Sequence, residues 1–143
     1  MKQAGCNEVD KSMNKMEEFN YTVEQFADLQ LLRYKVYGFE ELSLKQKELI
    51  YYLSQAALQG RDILFDQNGK YNLLIRKMLE TVYTEYQGDR TDVNFVNLET
   101  YLKRIWFSNG IHHHYASDKF VPGFTPEFLR DALNSVDALK LPW

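Results

Sequence analysis

A single cysteine, Cys6, cannot form a disulfide within the chain, and it excludes both a bridged scaffold and any cysteine-rich zinc module. Also missing is a block of basic residues. Seventeen Lys and Arg stand against twenty Asp and Glu, for a net charge of -3. A nucleic-acid partner or an anionic membrane surface therefore finds no electrostatic footprint. No apolar run approaches the roughly 18 residues that span a bilayer, so no membrane span is expected. What is present is ample core material: 45% of the 143 residues are apolar and 15% aromatic. A chain of this size and composition can bury a core without metal or disulfide.

The start, "MKQAGC", resembles the end of a bacterial lipoprotein signal at Ala4-Gly5-Cys6. Gln3 stands where such signals carry an aliphatic residue, and the apolar segment that precedes them is missing. The compartment stays open on this evidence. It is cytoplasmic, or periplasmic and membrane-anchored if Cys6 is lipidated.

Residues 1 to 20 are polar without a periodic apolar face and read as a mobile arm; residues 21 to 143 read as one helical unit. Five helical patterns follow the arm. The first opens at Thr22, with Gln25 three residues on, and carries Val23, Phe26, Leu29 and Leu32 to Gly38. The second opens at Ser43 with Gln46 and sets Leu49, Ile50, Leu53, Ala56 and Ala57 on one stripe before Gly60. After "DQNGK", a third runs through Tyr71, Leu74, Ile75, Met78, Val82 and Tyr86 to Gly88. A fourth runs from Asp92 through Phe95, Leu98, Leu102, Ile105 and Trp106 to Asn109-Gly110. The fifth has Thr125 as N-cap, Pro126 at the first helical position and Glu127 in the first turn. No segment alternates with period two, so the expected class is all-α with mostly short loops. Tyr51, Tyr52, Phe65 and Tyr71 are expected in the core.

All three histidines, His112 to His114, lie in the linker "NGIHHHYASDKFVPGF" between the last two patterns. Imidazole is a common metal ligand, but consecutive side chains point in different directions in helix and strand alike and do not easily converge on one ion. The His-Glu-x-x-His helix of zinc peptidases is absent. Two other readings of the triplet stand. One is a loop whose imidazoles and Tyr115 hydroxyl bond the backbone; the other is a ligand-facing surface held on a rigid scaffold. No phosphate-binding glycine loop and no Gly-x-Ser-x-Gly elbow occur. Paired carboxylates such as Glu17-Glu18, Glu40-Glu41 and Asp89/Asp92 read as solvated charges near helix ends.

Two stretches, "LSLKQKELIYYLSQAALQGRDILFDQNGKY" and "YLKRIWFSNGIHHHYASDKFVPGFTPEFL", carry Leu53-Ser54-x-Ala56-Ala57, Ser108-Asn109-Gly110 and Lys119-Phe120-Val121-Pro122. In these the chain resembles the N-terminal region of the dipeptidyl peptidase III family, particularly its Bacteroides-type members, over about Tyr21 to Leu139. The resemblance implies a two-lobed zinc exopeptidase that releases dipeptides from the N-terminus of short peptides. Its zinc is held by two histidines of His-Glu-x-x-Gly-His and a glutamate of a second motif, where the metal lowers the pKa of bound water and polarises the scissile carbonyl. None of those residues occurs here, so no catalytic or metal residue is expected in this segment, and zinc belongs to the full-length enzyme. The expected partners are a short peptide substrate and the remainder of the enzyme chain.

Aligned on Lys119 to Pro122, Tyr115 falls where the family carries an aromatic that lines the pocket for the second residue of the peptide. His114 and Asn109 are the accompanying hydrogen-bonding candidates. The triplet departs from the animal branch, which leaves His112 and His113 without an implied role. The alternative is a stand-alone helical module that binds a peptide or a metal without catalysis.

Overall fold

The computed structural model describes residues 19–142; Cys6 and nearly all of the expected arm lie outside the described residues. The architecture is mostly helical, but it opens with a β-hairpin. Strands β1 (Thr22–Phe26) and β2 (Leu29–Leu32) pair antiparallel, with Gln25 opposite Gln30 and Phe26 opposite Leu29. The expectation of an all-α chain with a first helix from Thr22 is therefore corrected.

The reason is local. Phe26 and Leu29 flank a two-residue turn, so their spacing of three, which imitates a helical face, is a cross-strand pair. Ala27 takes the turn at φ 50° without the Gly or Asn that signals one. A register shift between Thr22 and Glu24 interrupts the alternation that would have betrayed the strand. Phe19 and Asn20 belong to the open end of this hairpin: Arg33 Nε donates to the Asn20 carbonyl at 2.7 Å and its guanidinium lies 5.0 Å from the Phe19 ring centroid.

Helix α1 (Leu44–Gln59) begins as its sequence requires, with Ser43 and Gln46 forming a capping box. At Gly60 the chain turns into α2 (Arg61–Asn68), a short helix the periodicity did not announce because Phe65 is its one buried residue. Next come α3 (Asn72–Glu85), α4 (Val93–Ser108) and α5 (Pro126–Ser135). The α4 N-cap Asp92 accepts from Asn94 N–H at 2.8 Å, and Thr125 caps α5 by accepting from Phe128 N–H at 3.2 Å.

The core forms where α3 and α4 pack together. Leu79 and Val82 of α3 meet Leu98, Tyr101, Leu102 and Ile105 of α4, with Phe65, Phe124, Ala132 and Val136 closing the cluster. Burying these side chains is the principal stabilising term. Phe95 is stacked on Tyr86, ring centroids 5.1 Å apart. The hairpin docks onto α4 by charge: Lys103 Nζ reaches Glu24 at 2.6 Å and Arg104 pairs with Asp28.

The apolar stripe expected on α1 is there, but it is uncovered. No α1 residue is buried, and Leu49 and Leu53 are 58% and 59% exposed. Tyr51, Tyr52 and Tyr71 are likewise exposed, so of the four expected core aromatics only Phe65 is in the core. Tyr51 and Tyr52 pack only edge to face, 5.3 Å apart. Nothing among the described residues folds back over α1.

Arg76 of α3 is the most deeply buried charge described. Its Nη2 donates to Asp62 Oδ1 at 2.7 Å, its Nε lies 3.4 Å from Glu80 Oε1, and its guanidinium sits 4.5 Å above Phe65. The bond from Arg76 holds the Asp62 carboxyl below its usual range, against partial burial and with help from Lys77. A carboxylate whose folded pKa is depressed adds stability above its unfolded value, about 3.9, and loses it as pH falls through the folded value. Asp62→Asn should therefore unfold at lower urea than the parent at neutral pH, and the two midpoints should draw together as pH is lowered from about 4. The gap should be small, because the Asp62 side chain is 47% exposed and solvent screens the pair.

Candidate functional site

α4 ends at Ser108 because Asn109 turns left-handed (φ 54°, ψ 37°), a conformation asparagine tolerates better than most residues. The N–H of Asn109 and that of Gly110 both reach back to the Ile105 carbonyl. The chain then doubles on itself through the histidines. His112 faces Lys119 in an antiparallel bridge, Phe120 N–H donates to the Ile111 carbonyl at 2.8 Å, and His113 N–H donates to the Asp118 carbonyl at 2.8 Å. Ala116 N–H closes the tip on the His113 carbonyl at 3.0 Å. The triplet is thus one arm of a tight miniature hairpin.

Two asparagines fasten this loop from behind. Asn68 Nδ2 donates to the Asn109 carbonyl at 3.2 Å, and Ile111 N–H donates to Asn72 Oδ1 at 3.2 Å. Asn72 is 2% exposed. It fits because Gly110 has no side chain: a Cβ there would stand 2.5 Å from Asn72 Nδ2. The segment after α4 is therefore set by α2 and α3, which gives the loop a rigid support.

Between loop and support lies a concavity of about 510 Å³, lined by Asn68, Asn72, Ser108, Gly110 and the segment from His112 to Ser117. No Asp, Glu, Lys or Arg lines it. Tyr115 N–H donates to His113 Nδ1 at 3.3 Å. The aromatic rings form a run: His113 stacks on His114 at 4.5 Å, His114 meets Tyr115 at 4.1 Å, and Phe107 meets His114 edge-on at 5.2 Å. Two polar atoms of the lining residues, Asn72 Nδ2 and Ser108 Oγ, are buried without a hydrogen-bond partner among the described residues.

Of the residues singled out by sequence, Tyr115 stands at the rim, 88% exposed, with His114 against it. Asn109 does not join them. It caps α4 and lines a neighbouring concavity of about 390 Å³ with Arg61, Phe65, Glu80 and Trp106. His112 and His113 line the same concavity as Tyr115. Among the described residues no group of three His, Cys, Asp or Glu side chains is placed to hold a metal ion together, and no helix is long and apolar enough to cross a membrane.

Sequence reading missed Asn68, Asn72 and Ser108 as site residues. The signal was the repeated Asn-Gly, at Asn68-Gly69 and Asn109-Gly110, whose two segments the fold brings side by side. No protein-family model matches the chain, and no curated protein matches it.

Proposed function

We propose that this chain is the N-terminal segment of a zinc-dependent dipeptidyl peptidase of the dipeptidyl peptidase III type, supplying scaffold and one rim of the peptide cleft. The observation that carries the reading is the pair of motif-bearing stretches, Leu42 to Tyr71 and Tyr101 to Leu129. The uncovered α1 supports it. An apolar stripe left open to solvent calls for a surface to cover it, and Leu49, Ile50 and Leu53 are the part that the rest of such an enzyme would cover. Tyr115 supports it too, since an exposed aromatic on a braced loop offers contact area to a peptide side chain.

On this reading the zinc ligands and the glutamate that activates water lie outside these 143 residues. The segment binds and orients, with Tyr115 as the foremost substrate contact and His114 beside it. Downstream coding sequence should contain His-Glu-x-x-Gly-His, and its absence would sink the proposal. In the intact enzyme, Tyr115→Ala should weaken peptide binding by roughly 1–3 kcal/mol if the substrate covers the ring. Michaelis constants unchanged across several peptides would remove Tyr115 from the site. A stand-alone binding module is the second reading, favoured by the formed concavity behind the histidine loop. Stable folding of the 143-residue chain together with peptide or zinc affinity and a genuine stop codon would select it.

A further inference from the structure

Two Asn-Gly steps meet behind the histidine loop, and the fold treats them differently. At such a step the glycine amide nitrogen can attack the asparagine Cγ, because no side chain on the glycine hinders the approach. The N–Cγ bond forms, the Cγ–Nδ2 bond breaks, and the side-chain nitrogen leaves as ammonia with the proton of the glycine N–H. Water then opens the cyclic imide to aspartate or isoaspartate. The reaction needs no reagent besides water.

Asn109-Gly110 is closed to this chemistry. Gly110 is buried, its N–H donates to the Ile105 carbonyl at 3.2 Å, and Asn109 is fixed as the cap of α4. Asn68-Gly69 is open. Asn68 is exposed and is the last residue of α2, where a helix frays. Gly69 is extended (φ 164°, ψ 140°), and among the described residues no acceptor stands in bonding geometry to its N–H. Asn68 also lines the open concavity, which gives water a path in and ammonia a path out. Its side chain is held by one bond, from Nδ2 to the Asn109 carbonyl at 3.2 Å, at the surface where water can replace it.

We infer that Asn68 is a site of spontaneous deamidation, and that its modification loosens the histidine loop. The carboxylate formed has no N–H to give the Asn109 carbonyl and sets a negative oxygen against it instead. Of the two asparagine braces only Asn72 is left. The product also brings a charge to a lining that otherwise holds no Asp, Glu, Lys or Arg. The inference does not use the peptidase reading. It is read from the mass and the NMR signals of the 143-residue chain, whereas that reading stands or falls on downstream sequence.

The folded chain is kept in mildly alkaline buffer made with heavy-oxygen water, sampled over time, digested and mapped by mass spectrometry. The peptide containing Asn68 should exchange its amide for a labelled carboxyl about tenfold or more faster than the peptide containing Asn109, since a hydrogen bond that must break first slows the latter by about that factor. In urea, with the fold gone, the two should react at similar rates. As product accumulates, the backbone amide signals of Gly110 to His114 should move, and Asn68→Asp should show the same displacement from the start. An unmodified Asn68, an equal rate at Asn109 in the folded chain, or a ratio unchanged by urea would each overturn the assignment of the site. Loop signals that stay in place in Asn68→Asp would overturn the effect on the loop. Should Asn68→Asp fail to fold, the slowly modified parent supplies the same comparison.

Discussion

Phe65→Ala should lower the stability of the folded chain by about 3–5 kcal/mol, read as a lower urea midpoint at unchanged slope. Phe65 is 1% exposed and is the one residue that ties α2 into the core. Its loss removes the transfer energy of a whole ring and leaves a cavity that α3 and α4, held to each other by Leu79, Leu98 and Leu102, cannot readily collapse into. It also takes away the ring under the Arg76 guanidinium. Phe65→Leu separates these effects, because leucine keeps much of the volume and none of the ring face. A cost for leucine close to that for alanine would mean that the cation over the ring matters as much as packing. A cost under 1 kcal/mol for Phe65→Ala would show that α2 is not held by the core at all.

The second large effect is expected at Gly110. A Cβ there would sit 2.5 Å from Asn72 Nδ2 and 2.9 Å from Asn72 Cγ, and Asn72 is itself buried. Gly110→Ala must push the asparagine or the loop aside. Overpacking of this kind costs about 1–3 kcal/mol, and if Asn72 yields, the Ile111 N–H loses its acceptor at a further cost of about 1–3 kcal/mol. The local reading matters more than the total: backbone amide signals from Ile111 to Ala116 should move, because the bond at Ile111 sets where the histidine loop begins. Adding Asn72→Ala should recover part of the overpacking cost, since the colliding atoms are gone, so the two substitutions should be less than additive. Strict additivity would disprove the wedge between Gly110 and Asn72.

A Cβ built on Gly69 would approach the same side chain less closely, at 3.0 Å from Asn72 Nδ2. Gly69→Ala should therefore disturb the loop less than Gly110→Ala does.

Both positions explain which parts of the molecule were legible in advance. Three helix starts were, because caps are local chemistry: Ser43 with Gln46, Asp92, and Thr125 with Pro126 each bond a neighbour two or three residues away. The α4 face was also legible, and Leu98, Leu102 and Ile105 recur at helical spacing and are buried. The hairpin was not, because its turn lacks the usual residues and its cross-strand pair mimics a helical interval. Tyr115 and His114 could be singled out by residue type and alignment. Asn72 could not, since its importance is a contact with residues 39 positions away in the chain.

By itself the amino-acid sequence determined a mostly helical chain, the caps that start α1, α4 and α5, and the absence of disulfides within it. It also placed all the histidines on one linker. Tertiary structure alone decided that the α1 stripe faces outward, that Arg76 is buried against Phe65 and Asp62, and that two Asn-Gly segments meet to brace the histidine loop. The physical reason is range. Caps and periodicity act over a few residues, whereas burial and the pairing of polar groups depend on which distant segments happen to share a space.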